Sequence, residues 1–423
     1  MEKPSGKFII VIITILIWLV IGCSSRQEPI TTEIPTETPN PSPSNTPVVT
    51  APIPKSTETK TVGEQPLSIS DLESSPLLVP NNVSQLTILG EQTLDPENDV
   101  SFSLFDWSND GSRIVVCAFS DSESSYRVYD LLENTILAEI PVSEWLCVDY
   151  VRDAGWLQFS RDSNLFSGLT IKDHPDGNSY NTPAIYRSQS GEIVSVLAAQ
   201  PSNVKYPPEV VFSSQGTRLA LSDNIASSPV EDPNADFQAG FYMIRSVEID
   251  LFDVQTGGHW GTFLRYTDKV VRDLEYSTAG QYLVVGTNQA AEAWDVTGGL
   301  TYRLECPNSL ITFSPAAEIA AVSCVPFEGD SYQMLWDLES GDVLSITDAP
   351  GNYSQELKFS LDGRLVVGLS DDGMISFWNG ETGDYLATLP ESYLAPVDVN
   401  FTGEGRLVAV LLEDGRLKLY GVD

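Results

Sequence analysis

The chain has 423 residues, with 59 acidic against 23 basic side chains for a formal charge of −36, 42% hydrophobic residues, two histidines and five cysteines. Nucleic-acid binding draws most of its affinity from Lys and Arg neutralising phosphates, so a surface this acidic argues against a DNA- or RNA-binding role. Two histidines leave little room for multi-histidine metal chemistry, and the apolar fraction is that of a globular chain with one large domain or two to three small ones.

Lys3 and Lys7 precede an apolar run over residues 8–21. It is short for a membrane span of about 20 residues and right for the core of a secretory signal. The run ends in Val20-Ile21-Gly22-Cys23, which resembles a bacterial lipobox. That resemblance implies a signal peptide over residues 1–22 and a lipid on the Cys23 sulfur; the alternative is an uncleaved anchor helix with Cys23 as a passive thiol. Either reading places the rest of the chain outside the cytoplasm, on the outer face of a membrane in the cell envelope. An acidic surface does not bind anionic headgroups by charge, so the acyl chains are the expected membrane attachment.

Residues 26–66 hold nine Pro and nine Thr and no aromatic. Such a composition cannot bury enough apolar surface to offset its ordering entropy, so residues 23–80 read as a lipidated cysteine followed by a disordered, partly polyproline-II tether. At about 3.1 Å per residue the tether reaches on the order of 100 Å.

All aromatics except Phe8 and Trp18 lie from Phe102 onward, so the packed domain is expected over residues 81–423. There a unit recurs: an aromatic strand end, a small hydroxyl residue, a turn and an apolar run. Its seven copies begin at Trp107-Ser108, Phe159-Ser160, Phe212-Ser213, Tyr276-Ser277, Phe313-Ser314, Phe359-Ser360 and Phe401-Thr402, spaced 37 to 64 residues apart. Later in several copies an aromatic-Asp or aromatic-Asn pair precedes a Gly turn, as in Trp294-Asp295, Trp336-Asp337 and Trp378-Asn379. Gly after Asp or Thr supplies the positive φ of tight hairpins, so each copy predicts three to four short antiparallel strands, one blade.

Over residues 84–423 the pattern resembles the WD40-type β-propeller family, most closely at the Trp-Asp pairs 294–295 and 336–337. The resemblance implies an all-β, seven-bladed, WD40-like β-propeller. No Gly-His dipeptide opens any repeat, so the family's histidine network is missing; TolB-like and quinoprotein-like propellers share the coarser features. The last copy stops one strand short, and residues 84–89 read as an orphan strand that closes the ring against it.

Beyond Cys23 four cysteines remain. With residues 314–317 as a hairpin turn and Phe313 facing Glu318, Cys306 falls opposite Cys324, leaving Cys117 for Cys147. Three pairings exist in principle, and four buried free thiols are the alternative.

Catalytic motifs of the common hydrolases, nucleotide-binding loops and calcium loops are missing from the chain. His174, in a hydrophilic turn cluster, and His259 read as turn residues, and no metal or cofactor is expected. Connections between copies carry Trp145, Tyr206, Tyr266, Tyr353 and Tyr393, with Lys269 and Arg272 as scarce cations beside Tyr266. Aromatics on rigid loops suit binding of a protein or glycan partner; alternatively the rings wedge between blades. Two functions follow: a monomeric, membrane-anchored binding or scaffold module without catalysis, or a propeller hydrolase or lyase with its site in the central channel. An enzyme is expected to place carboxylates, Arg or His at the inner ends of the first strands. Those positions read mostly as Trp, Phe, Tyr and Ser.

Overall fold

In the computed structural model the described residues are 75–423, apart from 95–99, 121–122, 143–146, 148–155, 174–178, 199–208, 227–243, 268, 327–329, 349–353, 371, 390–395, 413 and 423. The leader, Cys23 and the chain to residue 74 lie outside them, as does His174.

Seven four-stranded antiparallel sheets follow one another, and the chain is a seven-bladed β-propeller. The inner strands of blades 1 to 7 are Ser101–Trp107, Gln158–Phe159, Val210–Phe212, Val271–Tyr276, Leu310–Phe313, Ser354–Phe359 and Pro396–Thr402. Blades 1 to 6 each use four consecutive strands. Blade 7 has only three of its own, and Thr87–Thr93 pairs antiparallel with Arg416–Gly421 as the fourth. The closing strand therefore begins three residues later than residues 84–89 suggested, because Val83–Gln85 forms a single 3-10 turn. Leu78 and Val83 are buried and pack with Leu365, Val399, Phe401 and Val408 of blades 6 and 7, and the Arg406 guanidinium donates to the Ser75 carbonyl at 2.8 Å.

The first hairpin has one register in all seven blades. Each strand-end aromatic pairs with the residue seven further on: Trp107 with Ile114, Phe159 with Phe166, Phe212 with Leu219, Tyr276 with Leu283, Phe313 with Ala320, Phe359 with Val366 and Phe401 with Val408. Phe313 therefore faces Ala320 rather than Glu318, a hairpin two residues longer than expected. The repeated hydroxyl explains the length. The Ser108 Oγ accepts the Arg113 N–H at 2.8 Å and donates to Asp110 at 2.6 Å. Ser160 and Ser360 do the same with Leu165 and Asp162, and with Leu365 and Asp362. Each such serine also donates its backbone N–H to the carbonyl five residues on. The later aromatic-Asp pairs cap the other turns: Asp295, Asp337 and Asn379 each accept a backbone N–H two residues ahead at 2.8 Å.

Cores lie between blades rather than within them. Val115, Phe166, Leu221 and Phe252 belong to one buried cluster that runs through blades 1 to 3. The structure joins Cys117 to Cys147 and Cys306 to Cys324 as disulfides.

Two tests follow from this architecture. Gly111 and Gly216 occupy equivalent turn positions with φ of 65°, but a Cβ at Gly111 collides with the Phe401 carbonyl of blade 7, whereas one at Gly216 meets nothing within 4 Å. Gly216→Ala carries only the left-handed backbone cost of about 1 kcal/mol, and Gly111→Ala adds a backbone clash across the seam and is expected to lose about 2–4 kcal/mol; chemical denaturation distinguishes them, and equal losses would show the seam to be slack. Deleting residues 75–93 leaves Arg416–Gly421 as an open edge, so the truncated chain should aggregate and lose its single cooperative melting transition in calorimetry. A truncated chain that melts like the intact one would mean the ring closes without this strand.

Candidate functional site

Side chains alternate along a strand, so the residue before each strand-end aromatic faces the opposite way from it. The aromatics Trp107, Phe159, Phe212 and Phe359 are buried and border the channel cavity. Their predecessors line the channel. Asp106, Gln158, Val211, Glu275, Thr312, Lys358 and Asn400, one from each blade at the same register, enclose a cavity of about 180 Å³ where the inner strands turn into their hairpins. The expected Trp, Phe, Tyr and Ser side chains, Trp107, Phe159, Tyr276 and Ser108 among them, border the same cavity, and the polar predecessors stand beside them. The channel mouth is polar and convergent.

Two residues back on the same face stand Asp273, Glu356 and Asp398. The Lys358 ammonium lies 2.7 Å from Glu356 and 4.0 Å from Asp106. Three of the aspartates reach the next blade. Asp106 accepts the Phe159 backbone N–H, Asp273 accepts the Ile311 N–H at 2.6 Å, and Asp398 accepts the Trp107 indole N–H at 2.7 Å, closing the ring from blade 7 to blade 1. Glu275 accepts no hydrogen bond among the described residues. Above the mouth Arg161 of blade 2 donates to the Thr278 carbonyl of blade 4 at 2.7 Å.

Burial dominates the acid–base behaviour. It pushes Asp106 up to about 6 against the opposing pull of Lys358 and Asp273 up to about 7. Glu275 and Asp398 are raised well above the usual carboxyl range, again first by burial and then by neighbouring carboxylates. Burial alone pulls the Lys358 ammonium down, but Glu356, Asp106 and Asp398 more than offset it and hold the charge in place. Among the described residues no three carboxylate, imidazole or thiol groups converge closely enough to hold a metal ion.

The inter-blade connections join the far ends of the inner strands, opposite this mouth. Of the side chains expected there, Trp145, Tyr206, Tyr353 and Tyr393 lie outside the described residues. Tyr266 is 7% exposed and packs between strands instead of facing solvent. Its hydroxyl donates to Glu292 at 2.7 Å and accepts from the Trp294 indole at 3.0 Å. Glu292 also takes Lys269 at 2.7 Å and Arg303 at 2.8 Å, and Lys269 lies 4.5 Å from the Tyr266 ring centroid. Lys269 thus serves a buried ion network. Arg272 is exposed at the start of its strand. His259 opens an outer strand, 3.2 Å from Asp250. Sequence reading missed Glu292, although Glu292 sits opposite Arg303 in the strand register, the cross-strand charge pair that a blade alignment exposes.

No protein-family model matches the chain, and no curated protein matches it.

The raised carboxyls fix the sign of a pH dependence. Their folded values lie above the ordinary 3.8 of an aspartate, so the native state holds protons that the unfolded chain has released. Stability from these groups is full below the ordinary carboxyl range and declines as pH rises through about 6 to 7. The melting temperature should be higher at pH 5 than at pH 8, and Asp106→Asn with Asp273→Asn, which keep an acceptor oxygen for Phe159 and Ile311, should flatten the profile. A melting temperature that rises from pH 5 to pH 8 in the wild type would refute this.

Proposed function

We propose that the chain is a divergent WD40-like propeller lipoprotein that works as an extracytoplasmic binding module, held to a membrane through lipid on Cys23 and displayed on the tether before residue 75. The observation that carries the binding assignment is the channel mouth, where seven blades each deliver one side chain at a common register to a single small cavity. Loops and strand ends held by a rigid scaffold are where binding residues concentrate. The partner is a protein, or a glycan, of the cell envelope, met by the hairpin face of the ring. The convergence of Asp106, Glu275 and Lys358 also favours a second reading, a hydrolase or lyase acting in the channel; that reading requires Asp106→Asn or Glu275→Gln to abolish turnover of an envelope polymer while leaving its capture intact.

Site-specific photo-cross-linking in intact cells tests the binding assignment. Cross-linkers at Asn109 and Leu361, beside the mouth, should yield discrete adducts, and one at the exposed turn residue Glu339 should not. Adducts from Trp145 and Tyr353 alone would move the binding surface to the opposite face. In the same cells, Cys23→Ser should release the chain from the membrane fraction; continued retention would favour the uncleaved anchor.

A further inference from the structure

We infer that the outer edge of blade 5 is a docking surface for an extended strand of a partner protein, one with Lys or Arg at its ends and β-branched residues between them. This edge lies on the periphery of the ring, apart from the channel mouth, and the inference does not rest on the reading of the mouth. Three observations carry it.

The first is what the strand lacks. The outermost strand of each blade has one edge paired with no described strand, and such an edge recruits other chains unless charge, proline, glycine or shortness prevents it. Blade 1 has Glu139 and Pro141 within Thr135–Val142, blade 3 has Gly261 and Arg265 within His259–Thr267, and blade 4 has Arg303 within Leu300–Leu304. The closing strand of blade 7 has Gly90 and Glu91. Blades 2 and 6 use only four residues each, Ile193–Val196 and Tyr385–Thr388. Val343–Asp348 of blade 5 has six residues without Lys, Arg, Pro or Gly, and its one charge is Asp348 at the end. It shares a bulge near its start with blades 4 and 6, beyond which residues 345–348 run in regular register.

Exposure is the second. Val343, Leu344 and Ile346 are 37%, 45% and 67% exposed, and Ile346 is the most exposed large apolar side chain among the described residues. Side chains alternate along the strand. Thr347 faces blade 6, where its hydroxyl donates to the Gly383 carbonyl at 2.7 Å, so the strand is anchored by that face and Ile346 stays in solvent on the other.

Charge is the third, and it selects the occupant. Exposed Asp342 and Asp348 bracket the apolar residues. Two copies paired antiparallel about Ser345 would set Asp342 of each against Asp348 of the other, between chains of formal charge −36, and like charges placed opposite oppose pairing. A foreign strand with a cation at each end meets both aspartates and covers the apolar residues between them, while its backbone satisfies the open edge. The turn before Val343 is tucked against blade 4, with Gly341 close on the Tyr302 ring, so the pairing begins at Asp342 and leaves Glu339 outside it.

Fluorescence anisotropy on the full-length, detergent-solubilised chain tests this with the labelled peptide Lys-Val-Thr-Val-Thr-Val-Lys. It should bind with a Kd on the order of 100 μM. The same peptide with Glu at both ends should bind at least about tenfold more weakly, and one with Pro at its centre should not bind, because proline cannot donate to the ladder. Ile346→Lys should weaken the basic peptide by about tenfold, whereas Ile171→Lys, at an exposed position of blade 2, should change nothing; melting curves confirm that both variants are folded. Amide hydrogen exchange should slow at residues 343–348 when the basic peptide is bound. No binding of the basic peptide, equal binding of the basic and acidic peptides, an affinity that Ile346→Lys leaves unchanged, or protection confined to other strands overturns the inference. A dimer in sedimentation velocity that Ile346→Lys abolishes would make a second copy the occupant and overturn it as well.

Discussion

Everything in this molecule depends on closing a ring of seven sheets with the two ends of one chain. Thr87–Thr93 supplies the strand that blade 7 lacks, and without it an unpaired row of backbone groups would face outward at the seam. The junction with blade 1 is held by side chains as well. Asp398 takes the Trp107 indole, and the Thr402 hydroxyl donates to the Gly111 carbonyl at 2.6 Å. These contacts span 291 residues of sequence, so closure entropy is met late and by many weak bonds together.

Closure also creates the channel and explains its odd chemistry. Seven inner strands around one axis must each put every second side chain inward, and the space is too narrow for seven large apolar groups. Polar residues stand there instead, and several of them carry the ring. Asp106 and Asp273 satisfy backbone N–H groups of the next blade that no strand partner reaches. Burying a charge for this purpose is expensive, and the structure answers it in two ways, with protons held on raised carboxyls and with the Lys358 ammonium beside Glu356. What separates Glu275 from its neighbours is that it shares the burial and performs none of the stapling.

Legibility in the sequence followed the range of the forces. The seven copies were readable because their turns are local. In blades 1, 2 and 6 one serine hydroxyl, one aspartate two residues on and one left-handed residue decide the hairpin, and blade 2 keeps the geometry with Ser163 at φ 59° where blades 1 and 6 use Gly111 and Gly363. The hairpin length was misjudged at Phe313 because that copy has Ala316 and Ala317 in place of the Asp-Gly signal. The charged part of the channel lining escaped notice because the conspicuous residue of each copy is the aromatic, which borders the cavity too, while its inconspicuous predecessor, Asp106 or Glu275, carries the charge. Tyr266 and Lys269 looked like loop residues open to a partner because nothing nearby in sequence reveals Glu292, which meets them only once the outer strand of blade 3 stands against blade 4.

The excess of acidic over basic groups does not by itself make the mouth selective. Charge spread over the surface draws cations from a distance, but at physiological ionic strength that attraction is screened within about 8 Å, and it treats every cation alike. The mouth differs because its groups are fixed and partly dehydrated. Asp106, Asp273 and Asp398 are aimed at donors of the neighbouring blades, and the Lys358 ammonium stands 2.7 Å from Glu356, so the charge that the mouth presents is set by the bonds that hold the ring together.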